Sequence, residues 1–556
     1  MIAINRRWEK CAVVSVVAVL SLVIPWIGLG LGAANNGDEG YMNLCIRDYR
    51  NSPLAMLTFY TGHLWTSLFG DDFLTIRRLG YVMGTLAILI GCIYYFQRTR
   101  KMLQTVFLFA LGCAVMSLER FMIYNWDLAA YPYYALLSVL FIDDIRRPSL
   151  WKVSAAGFTV CMLAMSRIQL VILIPVFAVI VAMPVRKVPN MCARHVLVYL
   201  LSISVAFVLL TWVMCGSVSA YISAFRPDNI ITGHGLKDMM RIYYIFKDKF
   251  AVNISTSALS LSVIIVSIAL TKYPALSHIQ KTMLCGFLAF YGFCYYLVLL
   301  SIYHTVFNIL TSFTGIVFFL LLLLPVCNLV RAEKVKIPVL QLAVVWILLA
   351  APVLGSDYSI CRMFGSFLLA PLMAILYPYC LRNVMLMRLS RNLMSVCIVA
   401  YGFAMFGRVY ISAEYACHPM DDFPLQKGIR SCWWDYKEWI KIREITRSVE
   451  ETGARLNYDG WRYAYAYSMQ SAPVTNLHLY HVQNNEDNIE RRRKVVQLYD
   501  AWLLAYVEKQ NVDGICRMLE DEGFEIVRDG VCNGGDGVLL MMRQPFAELY
   551  RQKSSD

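Results

Sequence analysis

The sequence predicts a polytopic α-helical membrane protein of about thirteen transmembrane helices, followed by a small C-terminal α/β domain on the extracytoplasmic side. Of the 556 residues, 58% are apolar and 16% are charged, whereas a soluble globular protein carries about 25% charged residues. The mean hydropathy is +0.54. Apolar runs of about 20 residues, the length that a helix needs to cross hydrocarbon, recur along residues 1–410. Because the runs are continuous rather than alternating, they predict helices and not barrel strands.

The apolar runs divide this transmembrane bundle into its predicted spans. They lie at 11–33, 76–97, 102–119, 127–142, 153–166, 169–184, 196–215, 253–270, 282–301, 306–329, 337–354, 364–380 and 393–410. The fifth and sixth are short, and Arg167 lies between them. A cleaved signal peptide is the alternative for the first run, because Gly32 and Ala33 are small. That run is longer than a usual signal core, which favours an uncleaved span.

Basic residues between the spans predict the orientation. Every second loop carries two or three cations near a span end, for example Arg98, Arg100 and Lys101. This positive-inside pattern predicts a membrane protein with a cytoplasmic N-terminus. We expect the membrane to be the bacterial inner (cell) membrane. It places the first long loop, residues 34–75, and the tail from 411 outside. Since these clusters account for the net charge of +13, we expect membrane lipid as a partner and no nucleic acid.

The tail, residues 411–556, carries many charges and contains no apolar run long enough to span. This change of composition predicts a soluble extracytoplasmic α/β domain. We expect helices at 486–509 and 512–522 and strands at 524–527 and 537–541, with turn residues at 533–536.

Four cysteines lie in this polar tail, whereas most of the others lie in apolar runs. Cys417, Cys432, Cys516 and Cys532 are expected to form one or two disulfides if the tail faces an oxidising compartment, but the sequence does not define their pairing. No CxxC pair and no HExxH motif occurs. The sequence therefore requires no cofactor, and it leaves a divalent metal ion open.

Asp38 and Glu39 follow the first apolar run directly. One interpretation is a solvated pair that ends a helix and keeps this loop outside. The functional interpretation is a general base, or a metal ligand, at the membrane surface. A carboxylate at the mouth of a partly dry cavity has its pKa raised towards the operating pH, as a base requires.

Asp127 begins the fourth predicted span on the outer side. A negative charge is favoured at a helix N-terminus, which is the structural interpretation. An ionisable group near membrane depth is also a candidate functional residue. Asp38 and Asp127 lie at the same mouth of the bundle and are therefore expected to converge.

Several arginines lie on the outer side, against the positive-inside trend. Arg77 and Arg78 begin the second span, Arg167 separates two spans, and Arg362 lies in a short outer loop. Such side chains can extend to lipid head groups. They are also suited to bind a phosphate or pyrophosphate, whose oxygens match the guanidinium fork.

The order of these features resembles a known family. A first span is followed by Asp38 and Glu39, then by Asn51-Ser52-Pro53-Leu54, an aromatic stretch at 60–69, and Phe69-Gly70-Asp71-Asp72-Phe73-Leu74-Thr75-Ile76-Arg77-Arg78-Leu79-Gly80. This order resembles the first loop of the GT-C fold glycosyltransferases, which include protein O-mannosyltransferases and lipid A aminoarabinose transferases. The resemblance is clearest over residues 11–185, and each motif by itself is short.

The resemblance implies an inverting enzyme that takes a sugar from a polyprenyl-phosphate donor and transfers it outside the membrane to a glycan, lipid or protein acceptor. It implies that Asp38 acts as the base, with Glu39 as its neighbour, and that Asp127 is the second acidic residue of the site. Arg77, Arg78, Arg167 and Arg362 are the candidates to hold the donor phosphate. The later outer loops carry no motif that matches the family.

Two other functions stay open from the sequence. A transporter or flippase for a lipid-linked glycan would use the same cationic cavity, although such proteins often show broken helices and an internal repeat, and no repeat is evident here. A polymerase or ligase of surface polysaccharide would use a polyprenyl-diphosphate oligosaccharide instead.

Overall fold

The computed structural model describes most of the chain. The described residues are 19–32, 38–117, 124–142, 149–183, 189–225, 254–273, 277, 279–280, 283–284, 286–287, 290–291, 316–317, 319–324, 337–351, 366–460, 467, 486–506, 512–531 and 537–555. The predicted spans 282–301 and 306–329 fall mostly outside them, so the total of about thirteen stays a prediction.

Helices form nearly all of the described chain before residue 416, as the apolar runs predict. In chain order they are α1 (Val19–Gly28), α2 (Asp38–Arg47), α3 (Met56–Phe69), α4 (Phe73–Thr99), α5 (Met102–Ser117), α6 (Trp126–Ile142), α7 (Leu150–Ser166), α8 (Leu173–Ala182), α9 (Pro189–Cys215), α10 (Val218–Ser223), α11 (Ile254–Lys272), α12 (Val339–Ala350), α13 (Ser366–Arg382) and α14 (Val384–Tyr415). A 3-10 turn at Ile168–Ile172 follows Arg167 and leads into α8.

Three described helices are long and apolar enough to cross a membrane: Phe73–Thr99, Pro189–Cys215 and Val384–Ala404. Helix α9 exposes large apolar side chains, among them Leu201 and Trp212, of which 54% and 65% are accessible. An exposed apolar surface of this kind needs lipid or another protein to cover it. The chain is accordingly a multi-pass membrane protein.

The bundle is built on close helix pairs. Helix α4 packs against α6 and α13, α7 packs against α9, and α11 packs against α14. Gly157 lies where α7 approaches α9, and a Cβ there would lie 2.5 Å from the carbonyl oxygen of Tyr199. A small residue at this point allows the two backbones to approach closely, as is common between membrane helices.

The first long loop, residues 34–75, is itself helical where it is described. Helices α2 and α3 occupy it, joined by 3-10 turns at Tyr49–Asn51 and Pro53–Ala55. Asp72 then begins α4 as its N-cap, because its carboxylate accepts hydrogen bonds from Thr75 N at 2.8 Å and Thr75 Oγ1 at 2.6 Å. Of the acidic residues of this loop, Asp38 and Glu39 begin α2, whereas Asp71 and Asp72 lie in the short connection between α3 and α4.

The described elements within residues 418–555 are a small two-stranded ladder, four α-helices and a four-stranded sheet. The elements are β1 (His418–Pro419), β2 (Arg430–Ser431), α15 (Trp433–Glu450), β3 (Leu456–Gly460), α16 (Glu486–Arg493), β4 (Ala501–Tyr506), α17 (Asp513–Asp521), β5 (Phe524–Val531), β6 (Gly537–Arg543) and α18 (Phe546–Ser555). The sheet order is β3-β4-β6-β5, with β3 and β4 parallel and the other pairs antiparallel.

Both faces of this sheet are covered. Trp502, Leu504 and Leu539 pack with α17 on one face. Alternate residues, such as Leu503 and Leu540, pack with α15 and α18 on the other face, in a core that continues into the first long loop. The sequences of the central strands are therefore continuous apolar runs, without alternation of apolar and polar residues.

The predicted helix at 486–509 is wrong beyond Arg493, because the chain turns there into strand β4. A short apolar run that is buried on both faces cannot be told from a helical segment by periodicity alone. The patterns in the sequence do not predict helix α15 or strand β3. The predicted helix at 512–522 and the two predicted strands are confirmed, the strands being longer than expected; the turn at 533–536 lies outside the described residues.

Candidate functional site

Glu39 and Arg77 form a buried, bidentate ion pair. The Arg77 Nε donates to Glu39 Oε1 at 2.6 Å, and Nη2 donates to Oε2 at 2.9 Å. The side chain of Glu39 is 1% accessible, and that of Arg77 is 0% accessible. This parallel arrangement is the strongest geometry that a guanidinium and a carboxylate adopt.

The same guanidinium also holds the end of the first span. Its Nη1 donates to the carbonyl oxygens of Leu29 at 2.9 Å and Gly32 at 3.0 Å, just beyond α1. These bonds use at least four of the five N–H groups of a guanidinium. We call Glu39, Arg77 and these two carbonyls the Arg77 clamp, since it ties α1, α2 and α4 together.

The Arg77 clamp positions Asp38. Helix α2 begins at Asp38, and its next residue is the clamped Glu39. The backbone next to Asp38 is therefore held near the C-terminal end of α1. The side chain of Asp38 lies outside what the structure describes.

Asp127 and Arg167 form a second buried ion pair. The Arg167 Nη1 donates to Asp127 Oδ1 at 2.8 Å. The side chain of Arg167 is 4% accessible, and that of Asp127 is 6% accessible. Asp127 lies in the first turn of α6, which Asn125 caps through hydrogen bonds from the Asp127 and Leu128 amides. Arg167 is the extended residue that ends α7. Two predicted site residues from separate spans thus meet.

Thr58 joins helix α3 to both sides of this pair. Its carbonyl accepts a hydrogen bond from the Tyr124 hydroxyl at 2.7 Å, and its Oγ1 donates to the Ser166 carbonyl at 3.0 Å. Tyr124 shortly precedes Asp127, and Ser166 directly precedes Arg167. The first long loop and the second ion pair therefore form one connected unit, which no motif in the sequence signals.

The helix that carries Glu39 also carries an amide without a hydrogen-bond partner. Asn43 is 0% accessible, and neither its Oδ1 nor its Nδ2 has a partner in the part of the chain that the structure describes. Asn43 lies one turn after Glu39 and therefore on the same side of α2. An unsatisfied buried polar group costs about 1–3 kcal/mol. No motif in the sequence marks Asn43 as a candidate functional residue.

A contact with the tail covers the start of α4. The Arg47 guanidinium donates to Asp71 Oδ2 and to the Tyr467 carbonyl, at 3.0 Å in each case, and lies over the Tyr467 ring at 3.9 Å. The Tyr467 hydroxyl donates to the Asp71 carbonyl at 2.5 Å. Tyr467 also packs edge-on against Phe73. Asp71 is thus held by Arg47 and Tyr467, and Asp72 by Thr75, so neither residue takes part in the Arg77 clamp.

The remaining predicted arginines differ in position. Arg78 is half-buried, with its guanidinium 5.5 Å from the Trp26 ring near the C-terminal end of α1. Arg362 lies outside the described residues. Within the described ranges there is no group of three or more His, Cys, Asp or Glu side chains that could hold a metal ion.

Two solved structures are similar to this chain, both of ArnT from Cupriavidus metallidurans. The apo structure matches with a TM-score of 0.44 and 12% identity over 97% of this chain and 99% of that chain. The structure bound to undecaprenyl phosphate matches with a TM-score of 0.44 and 11% identity over 96% and 99%. No family model matches the chain, and no curated protein matches it.

ArnT is a lipid A aminoarabinose transferase of the GT-C fold. These transferases are among the proteins that the sequence resembles.

Proposed function

We propose that the protein is a membrane glycosyltransferase. It transfers a sugar from a polyprenyl-phosphate donor to an acceptor hydroxyl on the extracytoplasmic side. The observation that supports this most is the Arg77 clamp, which holds the start of α2 rigidly against the end of the first span. Catalysis needs such rigid placement of a reacting group, and Asp38 is the acidic residue next to the clamp.

In the proposed reaction Asp38 is the general base. It accepts the proton of the acceptor hydroxyl while the hydroxyl oxygen attacks the anomeric carbon of the donor sugar. The bond between that carbon and the phosphate oxygen breaks, and polyprenyl phosphate leaves with the bonding electrons. Attack on the side opposite the leaving group inverts the anomeric centre.

Glu39 has a different role from Asp38 in this proposal. Both of its carboxylate oxygens accept hydrogen bonds from Arg77 inside the protein. A carboxylate paired in this way is a weak proton acceptor, because the ion pair stabilises its charged form. We therefore assign Glu39 and Arg77 as positioning residues for Asp38.

Arg78 and Arg167 are the proposed ligands of the donor phosphate. At least four of the five N–H groups of Arg77 are used within the clamp, whereas its neighbour Arg78 is half-buried near the end of α1. Arg167 is oriented by Asp127. Cations that are fixed before the reaction stabilise the charge that develops on a departing phosphate.

The donor is assigned to the polyprenyl-phosphate class. Undecaprenyl phosphate, the lipid bound to ArnT in one of the two similar structures, is of this class. For the acceptor we retain a glycan, lipid or protein hydroxyl, since the described residues show no site of more defined chemistry. A divalent ion is not required by the proposed step.

The proposal is tested with purified protein in vesicles that contain a polyprenyl-phosphate sugar labelled in the sugar. Detergent extracts of the organism's envelope serve as the source of acceptor. We expect labelled acceptor and free polyprenyl phosphate to appear together. Asp38→Asn should reduce transfer at least about a hundredfold, the range typical of a lost general base, without lowering thermal stability.

Asp48→Asn is the matched control, because Asp48 lies at the other end of α2 and accepts hydrogen bonds from Asn51. It should retain transfer. Full activity of Asp38→Asn would remove the catalytic assignment. Movement of labelled lipid between leaflets without release of polyprenyl phosphate would instead support a transporter, and turnover restricted to a diphosphate-linked oligosaccharide would support a polymerase or ligase.

A further inference from the structure

Two short strands directly after the last described span bring two cysteines opposite each other. Strands β1 and β2 are antiparallel, with His418 opposite Ser431 and Pro419 opposite Arg430. One further step along the same register places Cys417 opposite Cys432. This relation could not be read from the sequence, in which four tail cysteines allow several pairings.

The hydrogen bonds of this ladder define the kind of position that the two cysteines occupy. Met420 N donates to the Ile429 carbonyl at 2.9 Å, so that pair is hydrogen-bonded. Hydrogen-bonded and non-hydrogen-bonded pairs alternate along an antiparallel ladder. The pair formed by Cys417 and Cys432 is therefore non-hydrogen-bonded.

Non-hydrogen-bonded positions suit a cross-strand disulfide. Their Cα atoms are about 4.5 Å apart, and their side chains approach more closely than those of hydrogen-bonded pairs. A disulfide needs Cα atoms about 4.4–6.8 Å apart. Cys417 is exposed and Cys432 is half-buried, and both are thiols in the structure. At least one sulfur is thus accessible to an oxidant.

We propose that Cys417 and Cys432 form a disulfide in the mature protein. A protein disulfide of an oxidising compartment supplies the oxidising equivalents by thiol–disulfide exchange. The Cys417 thiolate attacks that disulfide and forms a mixed disulfide, and the Cys432 thiolate then displaces the oxidant. The S–S bond of this protein forms, the oxidant leaves as a dithiol, and the two thiol protons balance the two electrons transferred.

The bond would secure the contact between the tail and the first span. Between the two cysteines, Arg430 N donates to the Gly30 carbonyl at 2.7 Å and the Gly32 N donates to the Arg430 carbonyl at 2.6 Å. The Gly32 carbonyl in turn accepts from Arg77. Closing the hairpin therefore restrains the segment that the Arg77 clamp uses. The proposal requires the tail to face an oxidising compartment, and it does not depend on the transfer reaction.

The test uses the full-length protein in membranes prepared with excess N-ethylmaleimide, which blocks any thiol present in the cell. Trypsin cleaves after Lys427 and Arg430, which lie between the two cysteines, so only a disulfide can keep the two peptides together. We expect mass spectrometry to find them joined and to find the joined species lost after reduction. Maleimide adducts on both cysteines, or a link from either one to Cys516 or Cys532, would overturn the proposal.

Two variants serve as controls. Cys432→Ser should leave Cys417 open to maleimide, whereas Cys516→Ser should keep the joined peptides. Reduction should also lower the thermal midpoint of the wild type and leave that of the double variant Cys417→Ser/Cys432→Ser unchanged. If the wild type showed full transfer activity but no joined peptides, the disulfide would be overturned. The proposed function would then still stand.

Discussion

Glu39 and Arg77 are joined by two parallel hydrogen bonds, of 2.6 and 2.9 Å, between side chains that are almost completely removed from solvent. Removing one partner of such a pair leaves the other charge buried without compensation, which typically costs about 3–5 kcal/mol. We therefore expect Glu39→Gln to lower the thermal midpoint of the purified protein markedly. A Glu39→Gln variant as stable as the wild type would show that the Arg77 clamp does not hold the helices together.

Arg77→Lys should be as damaging as Glu39→Gln, although it keeps the charge. A lysine ammonium cannot form the fork that contacts Glu39 and two carbonyls at once. The matched change is Arg78→Lys at the next residue, which is half-buried. We expect Arg78→Lys to keep the thermal midpoint and to raise the KM for the lipid donor. An equal loss of stability in both variants would contradict the distinction between the two arginines.

Asp127 and Arg167 should be energetically coupled. Asp127→Asn and Arg167→Met each remove one side of a buried ion pair, so each should destabilise the protein by more than a surface substitution does. The double variant should be less destabilised than the sum of the two single variants, by about 0.5–3 kcal/mol. Chemical unfolding of the four proteins in one detergent measures this coupling, and strict additivity would argue against it.

Thr58→Val tests the connection between helix α3 and the second ion pair. The change removes the hydroxyl that donates to the Ser166 carbonyl and should cost about 0.5–1.5 kcal/mol. Thr61→Val is the control on the same helix, because the Thr61 hydroxyl donates only locally, to the Leu57 carbonyl of its own helix. We expect transfer activity to fall in Thr58→Val and to stay near the wild-type level in Thr61→Val.

Cys45 on α2 should be unreactive in the folded protein. Burial raises the pKa of its thiol from 9.0 to about 12, and the thiolate is the reactive form. At pH 8 only about 0.01% of this thiol is ionised, so maleimide should modify Cys45 only after denaturation, as mass spectrometry of the peptide would show. Modification of the native protein at the rate of the denatured one would contradict this burial.

The raised pKa of the Cys45 thiol also makes the free energy of unfolding depend on pH. Because the pKa is raised in the folded state, folding favours the protonated thiol. This contribution is fully present below pH 9.0 and is lost as the pH rises towards 12. A Cys45→Ala variant should therefore lose less stability than the wild type over this alkaline range.

Much of the helical architecture could be predicted from the sequence. The long apolar runs mark α4, α9 and α14 because the hydrocarbon core requires continuous apolar helices. The sequence predicts that Arg167 separates two spans, and in the structure α7 ends at Arg167. In the tail, the sequence predicts helix where β4 lies, because the apolar residues of β4 are buried on both faces of a sheet and lack the alternation that marks a strand.

The sequence by itself determined that this is a membrane protein, where its main spans lie and which ionisable residues stand near their ends, because these properties depend on local composition and charge. Only the tertiary structure decided which charges meet. The pairing of Glu39 with Arg77 and the pairing of Asp127 with Arg167 join residues that are distant along the chain. The ladder that places His418 opposite Ser431 also forms only in the folded chain. Such contacts depend on how helices and strands pack together, and local sequence does not encode them.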